Sequence, residues 1–191
     1  MGRLTGPLPT LRTDRLLLEP VGPSHLPSLV ELNSDPAVME FILGRGATPA
    51  ETEEEWARRL GSQTDPDRGL GYWAGVVDGS FVGWWSASSF RSDPSIAGIG
   101  YRLGRAWWGR GLATEGARAM VEQAFSVAGI ERVVASTMAV NTRSRHVLEK
   151  VGLVHVDTTY EEWADPLPGA ELGEVIYQIT RDRRGGAGHR T

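Results

Sequence analysis

One ten-residue stretch, Trp107-Trp108-Gly109-Arg110-Gly111-Leu112-Ala113-Thr114-Glu115-Gly116, constrains this chain more than any other. A strand-like segment, Ile96 to Leu103, runs into it, and residues with helical spacing leave it. Gly109, Gly111 and Ala113 leave the backbone bare where that helix begins. The first amides of an α-helix have no intrahelical acceptor and carry the positive end of its dipole. A bare turn at that point suits phosphate oxygens held by main-chain donors. The stretch therefore predicts a site for a phosphate-bearing cofactor. The competing reading is a tight strand-to-helix connection that binds nothing.

Composition narrows what surrounds this turn. With 191 residues the chain can bury one substantial core. A formal net charge of −4 argues against a nucleic-acid-binding surface spread over the molecule. The chain has no cysteine, which excludes disulfides, thiolate metal sites and a cysteine nucleophile. Its four histidines, His25, His146, His155 and His189, show no metal-binding spacing, so no metal is expected. No apolar run approaches the ~18 residues that span a bilayer. Residues 1–10 hold glycines and prolines without an apolar signal core, so a cytoplasmic protein with no membrane partner is expected.

Patterning places the elements. After the loose lead-in over 1–10, Leu11 to Glu19 reads as a strand stopped by Pro20. Pro23-Ser24 opens a helix whose Leu26, Leu29, Val30 and Leu32 are spaced helically up to Asn33. A further short helix is expected over Asp35 to Ile42. Thr48 as cap, Pro49 at the first helical position and the following acids start a stronger helix to about Leu60, with Trp56 and Leu60 facing inward. Leu70 to Val77 and Ser80 to Ser88 form a hairpin across Asp78-Gly79. Arg91 to Ser95 is a turn. The helix after the glycine turn carries Ala113, Ala117, Met120, Val121, Ala124 and Ala128 on one face and stops at Gly129. Arg132 to Met138 is a strand, Asn141 to Val151 a helix, Leu153 to Trp163 a strand and Glu174 to Arg181 a last strand. The basic, Gly-rich tail over 182–191 is expected to be flexible. The result is an α/β (α+β) single domain over 11–181 with a mixed, mainly antiparallel sheet flanked by helices.

Three phosphate-binding patterns compete for the turn. A Walker loop needs Gly-Lys-Ser/Thr, which is absent. A Rossmann fingerprint needs a third glycine where Thr114 stands, and an acid after the next strand where Glu131 precedes it. The run Trp108-Gly109-Arg110-Gly111-Leu112-Ala113 instead resembles the acyl-CoA pyrophosphate loop of the GNAT acetyltransferase superfamily, with Trp108 in place of the usual Gln or Arg. Ile99-Gly100-Tyr101 followed by Trp107 to Glu115 is similar to the RimJ/RimL-like branch, the ribosomal-protein N-terminal acetyltransferases. The opening Leu11-Arg12-Thr13-Asp14-Arg15-Leu16 and the helix Asn141 to Leu153 resemble that branch too.

The resemblance implies a GNAT-type fold and acetyl-CoA as cosubstrate. It implies coenzyme contacts from Ile99, Tyr101 and Leu103 on the strand, from Trp108, Gly109, Arg110, Gly111, Leu112, Ala113 and Thr114 on the turn, and from Asn141 and Ser144 on the later helix. Tyr101 would offer a backbone donor to the oxyanion, and Ser144 would be the acid that protonates the leaving thiolate. Asn141 would hold the pantetheine arm or cap its helix; Ser144 would otherwise be a helix-surface hydroxyl. Arg110 is either a solvated arginine or a cation beside the phosphates. Leu148 stands where many relatives carry a tyrosine acid, and Gly98 where RimL-like relatives often carry a glutamate. Glu40, Asp157 and Glu162 are the carboxylates left as possible bases. The expected reaction is direct acetyl transfer to a primary amine, a protein N-terminal α-amine or a small molecule. The alternative is a non-catalytic acyl-CoA-binding or sensor module on the same fold. Exposed edge strands make a homodimer an open possibility.

Overall fold

A computed structural model describes residues 8–90 and 92–186. Residues 1–7 of the expected lead-in, Arg91 of the expected turn and residues 187–191 of the expected tail lie outside the described residues.

Eight strands form one sheet: β1 (Leu11–Arg12), β2 (Leu17–Pro20), β3 (Gly71–Val77), β4 (Ser80–Ser89), β5 (Ile96–Leu103), β6 (Arg132–Met138), β7 (Val154–Thr159) and β8 (Glu174–Thr180). Their spatial order is β1-β2-β3-β4-β5-β6-β8-β7. Every neighbouring pair is antiparallel except β5 and β6. A parallel pair needs a long crossover. Here it is the glycine turn followed by α3 (Leu112–Ser126). The other helices are α1 (Leu26–Ser34), α2 (Pro49–Ser62), α4 (Thr142–Lys150) and α5 (Arg181–Gly186).

Side chains alternate across a strand, so β3 and β4 serve two cores at once. Trp73 and Trp85 pack with Leu112, Ala117, Met120 and Phe125 beneath α3. Their sequence neighbours Tyr72 and Trp84 pack with Leu29, Leu32 and Trp56 beneath α1 and α2. The β3–β4 hairpin turns on Asp78 and Gly79, both with positive φ (49° and 77°), as its Asp-Gly dipeptide predicts. Thr48 caps α2 reciprocally with Glu51: the Thr48 hydroxyl accepts from the Glu51 amide, and the Glu51 carboxylate accepts from the Thr48 amide.

Several expectations are corrected. The single strand over Leu11 to Glu19 folds back on itself: Leu11 pairs with Leu18 and Arg12 with Leu17, across a turn in which the Leu16 amide donates to the Thr13 hydroxyl. Asp35 to Ile42 forms successive turns instead of a helix, because Asp35 caps the Ala37 amide and the buried Met39 carbonyl collects donors from Ile42, Leu43 and Gly44. Leu60 is exposed: α2 buries Thr52 and Trp56, and Arg59 rather than Leu60 lies over the Tyr72 and Trp84 rings. Ala128 lies beyond α3, which ends at Ser126 and buries Phe125 instead. The strand over Leu153 to Trp163 stops at Thr159 and slips register between His155 and Asp157. Arg181 leaves β8 and starts α5, where an irregular tail was expected over 182–186. The Arg181 guanidinium accounts for this by donating to the carbonyls of Phe125, Val127 and Ile130 at the end of α3.

Candidate active site

The sheet opens where β5 meets β6. They pair only over Ile96–Gly98 against Arg132–Val134, whereas β5 runs on to Leu103 and β6 to Met138. On its other side β5 stays paired with β4 from Ala97 to Leu103. Beyond Gly98, β5 therefore presents its β6-facing main chain to a widening cleft, where an extended ligand arm can pair like a strand.

The glycine turn lies just past the end of β5. Gly109 (φ 72°) and Gly111 (φ 80°) both occupy left-handed backbone conformations, and Gly111 is the N-cap of α3 without any side-chain cap. Among the described residues, none of the amides of residues 109–114 donates to an acceptor in the chain; the first that does is Glu115, to the Gly111 carbonyl at 3.0 Å. A row of orphan donors at a helix start is an anion site by construction. The turn is braced from below: at Gly116 any side chain would collide with the Trp85 indole, which donates to the Ala113 carbonyl at 3.3 Å.

The aromatic pair beside the turn anchors it. The Trp108 indole N–H donates to the Leu103 carbonyl at 2.8 Å, so this carbonyl, expected to serve the coenzyme, is already engaged. Arg110 lies over the Trp107 ring and Arg143 over the Trp108 ring, at 5.0 and 5.1 Å from the centroids. Both guanidiniums are exposed, so the turn is flanked by cations held by their rings.

Ser144 and Tyr101, distant in sequence, meet here. The Tyr101 hydroxyl is 3.0 Å from Ser144 Oγ and 3.1 Å from the Ser144 carbonyl. Burial pushes the Tyr101 phenol up to about 12, outweighing the opposing hydrogen bond with Ser144, so it stays protonated through neutral pH. Ser144 is placed by Asn141, which caps α4 by accepting from the Ser144 amide at 3.1 Å. Asn141 thus caps its helix. Leu148 is fully buried, which suits an apolar residue rather than an acid.

The candidate bases fare worse. Glu40, Asp157 and Glu162 are all exposed. At Gly98 a side chain would come within 2.8 Å of the Phe90 ring, so the phenyl group covers the place where RimL-like relatives often carry a glutamate. Residues that sequence reasoning overlooked lie on the opposite face of β5. Arg102 is buried and donates to Asn33 Oδ1 at 2.6 Å and to both Glu55 oxygens at 3.2 Å. Arg59 bonds the same carboxylate and the Tyr72 hydroxyl. The one available signal was a charge inside an otherwise apolar strand.

A mixed sheet that splits beside a helix start with unpartnered amides is the arrangement of this chain. Residues 15–154 match the family described as acetyltransferase (GNAT) domain, and the chain belongs to that family of acetyltransferases. It is 39% identical over 184 residues to the FsC-acetyl coenzyme A-N(2)-transacetylase of Aspergillus fumigatus, covering 91% of this chain and 77% of that protein. Solved structures with the same fold include the ribosomal L7/L12 alpha-N-protein acetyltransferase RimL in complex with coenzyme A (18% identity, TM-score 0.71, 92% of this chain and 98% of that one). The aminoglycoside acetyltransferase AAC(6')-Ib in complex with coenzyme A is another (19% identity, TM-score 0.70, 90% and 98%). Among the described residues, no helix is long and apolar enough to cross a membrane.

Proposed function

We propose that this chain transfers the acetyl group of acetyl-CoA to a primary amine by direct attack. The observation that carries the reading is the row of unpartnered amides over residues 109–114, beside the cleft between β5 and β6. Those amides would take the diphosphate, with Arg110 and Arg143 adding charge, and the Ile99 carbonyl and the Tyr101 main chain, past the last paired residues of β5 and β6, would pair with the pantetheine arm. Attack by the amine forms the C–N bond and breaks the C–S bond; the Tyr101 amide would stabilise the oxyanion. The departing thiolate would take a proton from Ser144, whose hydroxyl shares a hydrogen bond with the protonated Tyr101 phenol, and Ser144 would recover its proton from solvent, which takes up the proton that the acetylated nitrogen loses. An acceptor α-amine, with pKa about 8 against about 10.4 for lysine, needs the least help in losing its own proton. The fungal relative is named for transfer to N(2) of FsC and RimL for transfer to a protein N-terminus, which supports a nitrogen acceptor as the shared element. A cytoplasmic location belongs to the same reading. So does a homodimer, favoured by exposed Val154 and Val156 on the edge strand β7.

A second reading, a non-catalytic acyl-CoA sensor, draws on one observation: Phe90 covers Gly98, and the candidate carboxylates Glu40, Asp157 and Glu162 are exposed, so none of these positions supplies a sheltered base. Release of coenzyme A from acetyl-CoA, assayed against a panel of amines and N-terminal peptides, separates the two. Turnover on at least one acceptor is expected, with kcat in Ser144→Ala lowered roughly 100-fold, the lower range for loss of a general acid. Full turnover in that variant removes Ser144 as proton donor; tight binding without turnover on any acceptor favours the sensor.

A further inference from the structure

Two stretches far apart in sequence meet at the glycine turn. Thr13 and Arg15 lie in the corner between β1 and β2, and Glu115 lies in the first turn of α3. Glu115 Oε1 accepts from the Thr13 hydroxyl at 2.5 Å and from the Arg15 amide at 2.8 Å. Glu115 Oε2 accepts from Arg15 Nε at 2.7 Å and lies 2.6 Å from Arg15 Nη2. The remaining guanidinium nitrogen, Nη1, donates to the main-chain carbonyl of Arg110 at 2.7 Å. One arginine thus bridges the helix start and the middle of the turn, as only a forked guanidinium can.

Two consequences follow for the orphan amides. A peptide unit is planar and trans, so its C=O and the next N–H point in opposite directions. With the Arg110 carbonyl drawn to Arg15, the Gly111 N–H is aimed away from Arg15, where no acceptor among the described residues meets it. Meanwhile the Glu115 carboxylate, one turn from the same amides, is tied to the β1–β2 corner and withheld from them. Burial pushes the Glu115 carboxyl up, but the bonds from Thr13 and Arg15 outweigh this and keep it ionised.

We propose that Thr13, Arg15 and Glu115 form a clamp that sets the turn in its diphosphate-binding shape, with Arg15 and Glu115 as positioning residues. The proposal rests on the coenzyme A reading above, and the tests of the two come apart. Calorimetric titration of the wild-type protein with coenzyme A comes first; no binding overturns the reading and the clamp's role with it. Given binding, Glu115→Ala is decisive, because charge and positioning predict opposite signs. Removing a negative charge near a phosphate site strengthens anion binding if charge alone matters. A released clamp weakens it, and the expected Kd for coenzyme A rises about tenfold. Pantetheine lacks the diphosphate, and its Kd, measured by competition with coenzyme A, is expected to stay within twofold. If Glu115→Ala does not fold, Arg15→Lys keeps the charge but cannot bridge both partners, and the same rise is expected. An unchanged or lower Kd for coenzyme A in a folded variant overturns the clamp, and so does an equal loss for both ligands.

Discussion

The two faces of β5 work by different means. On the α3 and α4 face the groups available to a ligand are main-chain amides beyond Gly98 and over residues 109–114, plus the paired hydroxyls of Tyr101 and Ser144. On the α1 and α2 face two guanidiniums, Arg59 and Arg102, share the carboxylate of Glu55 inside a cluster of Trp56, Tyr72 and Trp84. The first face leaves donors free and the second consumes them. A binding surface needs unspent hydrogen-bonding capacity, whereas a buried charge tolerates none. On the second face Arg102 Nε, Trp56 Nε1 and Trp84 Nε1 are nevertheless buried without a hydrogen-bond partner among the described residues, so the network carries residual cost.

That contrast can be broken most directly at Glu55. Glu55→Ala leaves the buried Arg102 and the half-buried Arg59 guanidinium without their carboxylate and is expected to cost about 3 kcal/mol, read from urea unfolding. Coenzyme A affinity of the folded fraction should be unchanged; a comparable loss of affinity would mean the faces are not independent. Next in size is the buried phenol of Tyr101. Its folded pKa of about 12 lies above the ordinary value of 10.0, so its contribution is fully present below pH 10 and is lost as pH rises through 12. The difference corresponds to roughly 3 kcal/mol, and Tyr101→Phe should flatten the stability profile in that alkaline window. An unaltered profile would mean that Tyr101 does not titrate late. The smallest effect belongs to neither face of β5. Thr48→Ala removes one half of the reciprocal cap on α2 and should lower stability by about 1 kcal/mol, seen as a shifted urea midpoint, with coenzyme A binding unaltered.

The glycine turn was legible because its shape needs only local facts. Left-handed positions at Gly109 and Gly111 and a helix start without a capping side chain follow from the residues at those positions. The reciprocal cap at Thr48 and the Asp78-Gly79 hairpin were legible for the same reason. Leu60 was misread because the helical period specifies a stripe but not its width, and the Arg59 guanidinium lies over the aromatic rings instead. The missing base at Gly98 could be read, but not that Phe90 lies over it.

By itself, then, the sequence determined where the backbone stands bare, the central strands β3 to β6 and the helices α1 to α4 to within a few residues, and a resemblance to the GNAT acetyltransferases. Tertiary structure alone decided that β8 comes between β6 and β7, that β5 and β6 part after Gly98, and that Tyr101 meets Ser144. It also brought Arg15 to Glu115 across a separation of 100 residues. The physical reason is range: dihedral preference, capping and periodicity act within a few residues, whereas strand order and register depend on the free energy of the whole packed sheet.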